Sequence, residues 1–220
     1  MSTTSPLFAR LLGLAAVAVL VLAVLVARPG GGPDGLTEAS VVGGGVAAPS
    51  PPVRTRVEER TYAVTGARAD EILASMAAAA PRTDGETFFG LTVTELSFRY
   101  VHRAEADSCR LHDVQVTLDV SVALPVWTPA PDAPYALRRD WARFDGSLRR
   151  HEDLHRVLAE RGAERIRAEM DGLAAPTCAG VDAEARRRAE RLRIETDAAH
   201  RRYDDETGHG RTQGAVWPRT

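Results

Sequence analysis

The chain has 220 residues and a formal net charge of −2, with charged side chains making up 26% of it. A balance so close to neutral supplies no global field to gather a polyanion, which excludes a charge-driven nucleic-acid binder. Apart from histidine every basic residue is Arg, and we read the absence of Lys as a composition effect of the genome.

The first ten residues are mostly polar and end in Arg10; Leu11 to Ala27 then runs without a charged or strongly polar side chain until Arg28. That run is long for the apolar core of a cleaved signal and short for a spanning helix. Residues 1–28 are therefore expected to be a signal anchor or a signal peptide. The anchor is preferred, because no convincing small-x-small cleavage site follows. In either case the rest of the chain is expected to be extracytoplasmic, tethered to the cytoplasmic membrane or secreted. Residues 29–52 are dominated by Gly, Ala, Pro, Val and Ser and include Gly43-Gly44-Gly45 and Pro49-Ser50-Pro51-Pro52. Such a stretch cannot bury enough apolar surface to offset its ordering entropy, so it reads as a flexible linker. The folded domain is expected over 53–220, about the modal size for one core.

Within it, Arg54 to Val64 is β-compatible, and Ala69 to Ala80 reads as a short helix with Ile72, Leu73 and Met76 on one stripe, stopped by Pro81. Phe88 to Val101 reads as strand. Leu111 to Leu124 alternates most clearly: Val114, Val116, Leu118, Val120, Val122 and Leu124 share one face, opposite Asp113, Gln115, Thr117, Asp119 and Ser121. One buried face and one wet face predict an antiparallel sheet. His112 falls at the start of that strand and reads as an edge or satisfied histidine. After the loop prolines 125, 129, 131 and 134, the period becomes helical. Trp141, Phe144, Leu148, His151, His155, Leu158 and Gly162 draw one stripe that Asp171-Gly172 ends. A second helix from about Val181 to Tyr203 carries Ala185, Ala189, Leu192, Thr196, Ala199 and Tyr203, small enough for close packing. Its Arg186-Arg187-Arg188 run is flanked by Asp182, Glu184 and Glu190 and reads as a solvated face. Strands followed by two long helices give an α+β domain. The two cysteines, Cys109 and Cys178, are expected to form one disulfide in an exported protein.

The chemistry lies in His151-Glu152-Asp153-Leu154-His155. Histidines four apart on a helix stand one above the other and can share one ion, while the Glu beside the first reaches the water that zinc activates. His151 and His155 are thus expected to bind Zn2+, with Glu152 as general base and acid. Only about 0.01 such matches are expected by chance from this composition. Asp153, Arg149 and Arg150 are unusual neighbours for such a segment and point to a less enclosed helix. A catalytic zinc site needs a third protein ligand, for which Glu195, His200, Asp204 and His209 are candidates. His209 lies between Gly208 and Gly210, where the backbone can come close to a site.

Several segments taken in order carry a resemblance: Tyr62-Ala63-Val64-Thr65-Gly66, Cys109 leading into the alternating strand, Leu124-Pro125-Val126-Trp127, Trp141-Ala142-Arg143-Phe144 with the His-Glu-x-x-His, Cys178, and residues 203–215. Over roughly residues 53–218 the chain resembles a bacterial family of predicted secreted zinc-dependent proteases. The resemblance implies a zincin-like fold and hydrolysis of a peptide or protein substrate, and it favours His209 as the third ligand. Tyr203 or His200 would stabilise an oxyanion. The rival readings are a non-catalytic envelope binding module and a zinc amidase acting on the cell wall. The expected partners are the substrate and, through the N-terminal segment, the membrane, with no nucleic acid.

Overall fold

The computed structural model describes residues 19–26, 53–83 and 85–218. The expected linker at 29–52 and most of the expected signal segment at 1–28 lie outside the described residues. The elements run β1 (Val19–Val26), β2 (Val53–Val64), α1 (Ala69–Ala79), β3 (Arg82–Thr83), β4 (Glu86–Thr87), β5 (Leu91–Ala104), β6 (Cys109–Trp127), α2 (Tyr135–Met170), β7 (Ala174–Ala175) and α3 (Cys178–Thr207). A 3-10 turn at Arg211–Gln213 follows. The architecture is α+β: one main sheet, ordered β1-β5-β6-β2 with β7 on β6, and then two long helices packed together.

The sheet is mixed and not antiparallel throughout, which corrects the expectation from sequence. β5 and β6, joined by four residues, pair antiparallel, but β2 runs parallel to β6 from Val53 opposite Val116 to Val64 opposite Trp127. β1 is likewise parallel to β5. A short connection forces neighbouring strands antiparallel, whereas β2 reaches β6 by way of α1 and β5, and so long a path permits either direction. Alternation of apolar and polar residues reports one wet face and carries no information about strand direction.

The alternation in β6 packs as its pattern requires: Val114, Val116, Leu118, Val120, Val122 and Leu124 are all buried. Onto that face come α1, through Ile72 and Met76, and α2, through Phe144, Leu148, Ala159, Ala163 and Ile166. α3 joins them through Val181, Ala185, Ala189 and Leu192. The two helices approach closely at Gly162. A Cβ there would lie 2.6 Å from Thr196 Oγ1, so any larger residue would force them apart. α3 starts at a Thr177 cap, whose Oγ1 accepts from Gly180 N at 3.0 Å, and ends at Gly208, which takes a left-handed φ of 55°.

The expected disulfide is formed, Cys109 at the start of β6 to Cys178 at the start of α3. It ties sheet to helix beside β7, where Leu111 N also donates to Leu173 O. A disulfide of this kind indicates an extracytoplasmic protein. Among the described residues no helix is long and apolar enough to cross a membrane.

Candidate metal centre

The middle of α2 and the last two turns of α3 lie side by side, and there the buried surface turns polar. His151, His155 and His200 are 0% exposed, Glu152 1% and Asp204 2%. On α3 the buried line steps in fours, Leu192, Thr196, His200, Asp204, which carries two polar residues into the position a purely apolar reading gave to Ala199 and Tyr203. Asp153, the odd residue of the motif, points outward and pairs with Arg156, so its charge does not enter the site.

Asp204 Oδ1 lies 3.2 Å from His151 Nε2 and 3.0 Å from His155 Nε2. The donor atoms of His151, His155 and Asp204 all fall within 4.8 Å of one another. Donors about 2.0–2.2 Å from a tetrahedral zinc stand about 3.3–3.5 Å apart, so two imidazoles and a carboxylate at these separations fit that ion. Orphaned atoms point the same way. His151 Nε2, Asp204 Oδ2, Glu152 Oε1, His200 Nε2 and His209 Nδ1 are buried without a hydrogen-bond partner among the described residues. Leaving so many buried polar atoms unsatisfied costs roughly 1–3 kcal/mol each unless something fills the space between them. The group can hold a metal ion.

Each ligand ring is fixed from behind. His151 Nδ1 lies 3.0 Å from Gln213 Oε1, which can only accept, so a proton sits on Nδ1 and the neutral ring would offer Nε2, which faces Asp204, to an ion. Tyr203 stacks on the His151 ring at 4.9 Å, and its hydroxyl donates to the same Gln213 oxygen at 3.1 Å. His155 Nδ1 lies 2.9 Å from His200 Nδ1. With His155 Nε2 committed to an ion, its Nδ1–H donates to His200, which must then be neutral. Burial, helped by the His155 charge, lowers the His200 pKa to about 4 and keeps it so.

Glu152 is held by the start of β5. Thr92 Oγ1 donates to Glu152 Oε2 at 2.7 Å, and Gly90 is packed so tightly that a Cβ on it would come within 2.4 Å of Oε1. Burial raises the Glu152 pKa, against the lowering pull of His155, His151 and the Thr92 hydrogen bond. Burial also works against charge on His151 and Asp204. Their proximity wins, raising the pKa of His151 and lowering that of Asp204.

Of the residues proposed from sequence, His151, Glu152, His155, Asp204 and His200 are brought together here. His209, which the resemblance favours as third ligand, stands at the edge with its Nδ1 3.6 Å from Asp204 Oδ1, and the third converging donor is Asp204. Glu195 is not brought in; it pairs with Arg165 on the outer surface of the helix pair. His112 sits opposite Val101 at the other end of β5 and β6 from Thr92. Sequence reasoning missed Gln213, Thr92 and Gly90. Gln213 had a signal, since it falls between Gly210 and Gly214 in a segment whose glycines mark constrained backbone. Thr92 had none, because threonine in a strand is ordinary.

A family model described as bacterial protein of unknown function (DUF922) matches residues 59–210. The chain belongs to that family. The match runs from within β2 to the turn after α3, so every residue of the candidate metal centre except Gln213 lies inside the matched span. No curated protein and no solved structure matches the chain.

Proposed function

We propose that the protein is an exported zinc-dependent peptidase in which His151, His155 and Asp204 hold the ion, with His209 beside them as a further donor, and Glu152 moves the proton. The observation that carries this reading is Glu152 Oε1: a buried carboxylate oxygen with no hydrogen-bond partner among the described residues, on a side chain within electrostatic reach of His155, His151 and Asp204. A zinc ion bound there supplies the Lewis acidity that makes water a nucleophile near neutral pH. Thr92 fixes Glu152 Oε2, which leaves Oε1 to take the proton from the attacking water and pass it to the leaving amine. Desolvation of Glu152 strengthens it as a base. Gln213 and His200 hold the two imidazoles in the tautomers that present Nε2. Tyr203, with its ring on His151, is the hydroxyl we assign to a developing oxyanion. A peptide or protein substrate belongs to the same proposal, and so does attachment to the membrane through the N-terminal segment, which requires Val19–Val26 to leave its pairing with β5.

One observation favours a second reading. The three donors are fully covered and His209 Nδ1 stands 3.6 Å from Asp204 Oδ1, so a small shift of His209 would let protein alone fill the ion, as in a zinc-stabilised binding module. The Glu152→Gln variant separates the two. The peptidase reading expects cleavage of an unstructured protein substrate to fall by on the order of a thousandfold while zinc stays bound at the wild-type ratio. Unchanged cleavage in that variant refutes Glu152 as the proton carrier. A wild-type protein that holds zinc but turns over neither protein nor peptidoglycan substrates supports the binding module.

A further inference from the structure

The segment from Gly208 to Trp217 crosses directly over the metal centre. His209 N donates to Asp204 O at 2.8 Å, which turns the chain back on itself at the end of α3. His209 has φ 56°, an uncommon value for a residue with a side chain, between glycines at 55° and 77°. Its Nδ1 lies 3.6 Å from Asp204 Oδ1. Gly210 then lies against His151, where a Cβ would come 3.0 Å from the ring. Gln213 reaches down to His151 Nδ1. Beyond it, Trp217 plugs between Trp141 and Phe144, with ring centroids at 5.5 and 5.7 Å, and donates Nε1–H to Ala69 O at 2.8 Å. Between these ties, Arg211 to Gly214 is exposed. The segment is fastened at its two ends and, between them, by Gln213 on His151 and by Thr212 Oγ1, which donates to Thr207 O at 3.2 Å; beneath it the donors are closed off from solvent.

We propose that Gly208–Trp217 is a strap that seals the zinc site, with His209 Nδ1 as a displaceable fourth donor, and that access to the ion requires the strap to lift. This rests on the zinc reading above and adds its regulation. A site with four protein donors is closed, whereas one with three keeps a position for substrate and water. Glycines at 208 and 210 supply the backbone freedom to pass between these states. Chain ends held by few contacts open at lower free energy than the core they cover.

The strap can be locked reversibly. A Cβ on Gly214 would stand 3.8 Å from Ser147 Cβ, a spacing suited to a disulfide. The Ser147→Cys, Gly214→Cys double variant of the full chain, loaded with zinc, is compared oxidised and after mild reduction, with Ser147→Cys alone as control. The readout is the rate at which a chelator removes zinc. Oxidation is expected to slow removal about tenfold or more and to suppress peptide cleavage, with both restored on reduction. Equal release rates in the two states overturn the strap, while the zinc reading stands as long as one zinc is bound. Should the left-handed φ of 94° at position 214 prevent the double variant from folding, His209→Ala decides. It is expected to keep one zinc and release it about tenfold faster. A release rate equal to wild type overturns the proposal.

Discussion

The α2–α3 pair has two ends of equal burial and opposite chemistry. Toward the disulfide, Ala163, Ile166, Met170, Val181 and Ala185 are all 0% exposed. Toward the turn after α3, His151, His155 and His200 are equally closed off, beside Glu152 and Asp204. The first end stabilises by removing apolar surface from water, at about 25 cal/mol per Å2. The second cannot, because buried titratable groups cost free energy unless paired or bound to an ion. Helix geometry alone would have accepted Leu and Ala at both ends. The polar end is therefore retained for its chemistry, and the aliphatic end, with its disulfide, carries the stability that the polar end gives up.

That division can be broken at either end. The largest expected effect on folding is at the aliphatic end. Replacing Cys109 and Cys178 by Ser opens a loop of sequence separation 69 and should cost roughly 4 kcal/mol on the chain-entropy account, read by denaturant unfolding. Zinc content of the folded variant should not change, since the bond lies at the opposite end of the helices. Loss of zinc from that variant while folded would show that the two ends are not separable.

A smaller effect sharpens the polar end. Folded His200 resists protonation until about pH 4, while the unfolded residue takes up its proton near its ordinary value of 6.5. A depressed folded pKa means that its contribution to stability is present above 6.5 and is lost as pH falls from 6.5 toward 4. In the zinc-free protein, His200→Gln keeps an acceptor for His155 but cannot titrate. The fall in Tm between pH 6.5 and 4 should be shallower in that variant than in wild type. Parallel curves would mean that His200 is not buried as a neutral ring.

Much of this was legible in the sequence, and the gaps have physical causes. The stripe from Phe144 through His151 and His155 to Gly162 follows the helical period so closely that the motif could be placed on a buried face. The alternation from Val114 to Leu124 located the core side of β6, and two cysteines in an exported chain implied their bond. The direction of β2 was not legible, because strand pairing across a long connection is decided by packing and leaves no local pattern. Asp204 was one candidate among four, because a stripe sought through apolar residues passes over a carboxylate that completes it. Gln213 acts through His151 at a sequence distance of 62, and no periodicity links them. The turn that brings His209 and Gln213 over the site depends on backbone at positive φ, of which the glycines gave the only hint.

The central claim is that the polar end is a zinc site, and metal content tests it most directly. The full-length protein and its Asp204→Ala variant are purified without added chelator, and zinc is measured against protein alongside a check that both are folded. The account predicts one zinc per wild-type chain and little or none in the folded Asp204→Ala variant. A folded wild-type protein without zinc, or a variant that keeps it at the wild-type ratio, would contradict it.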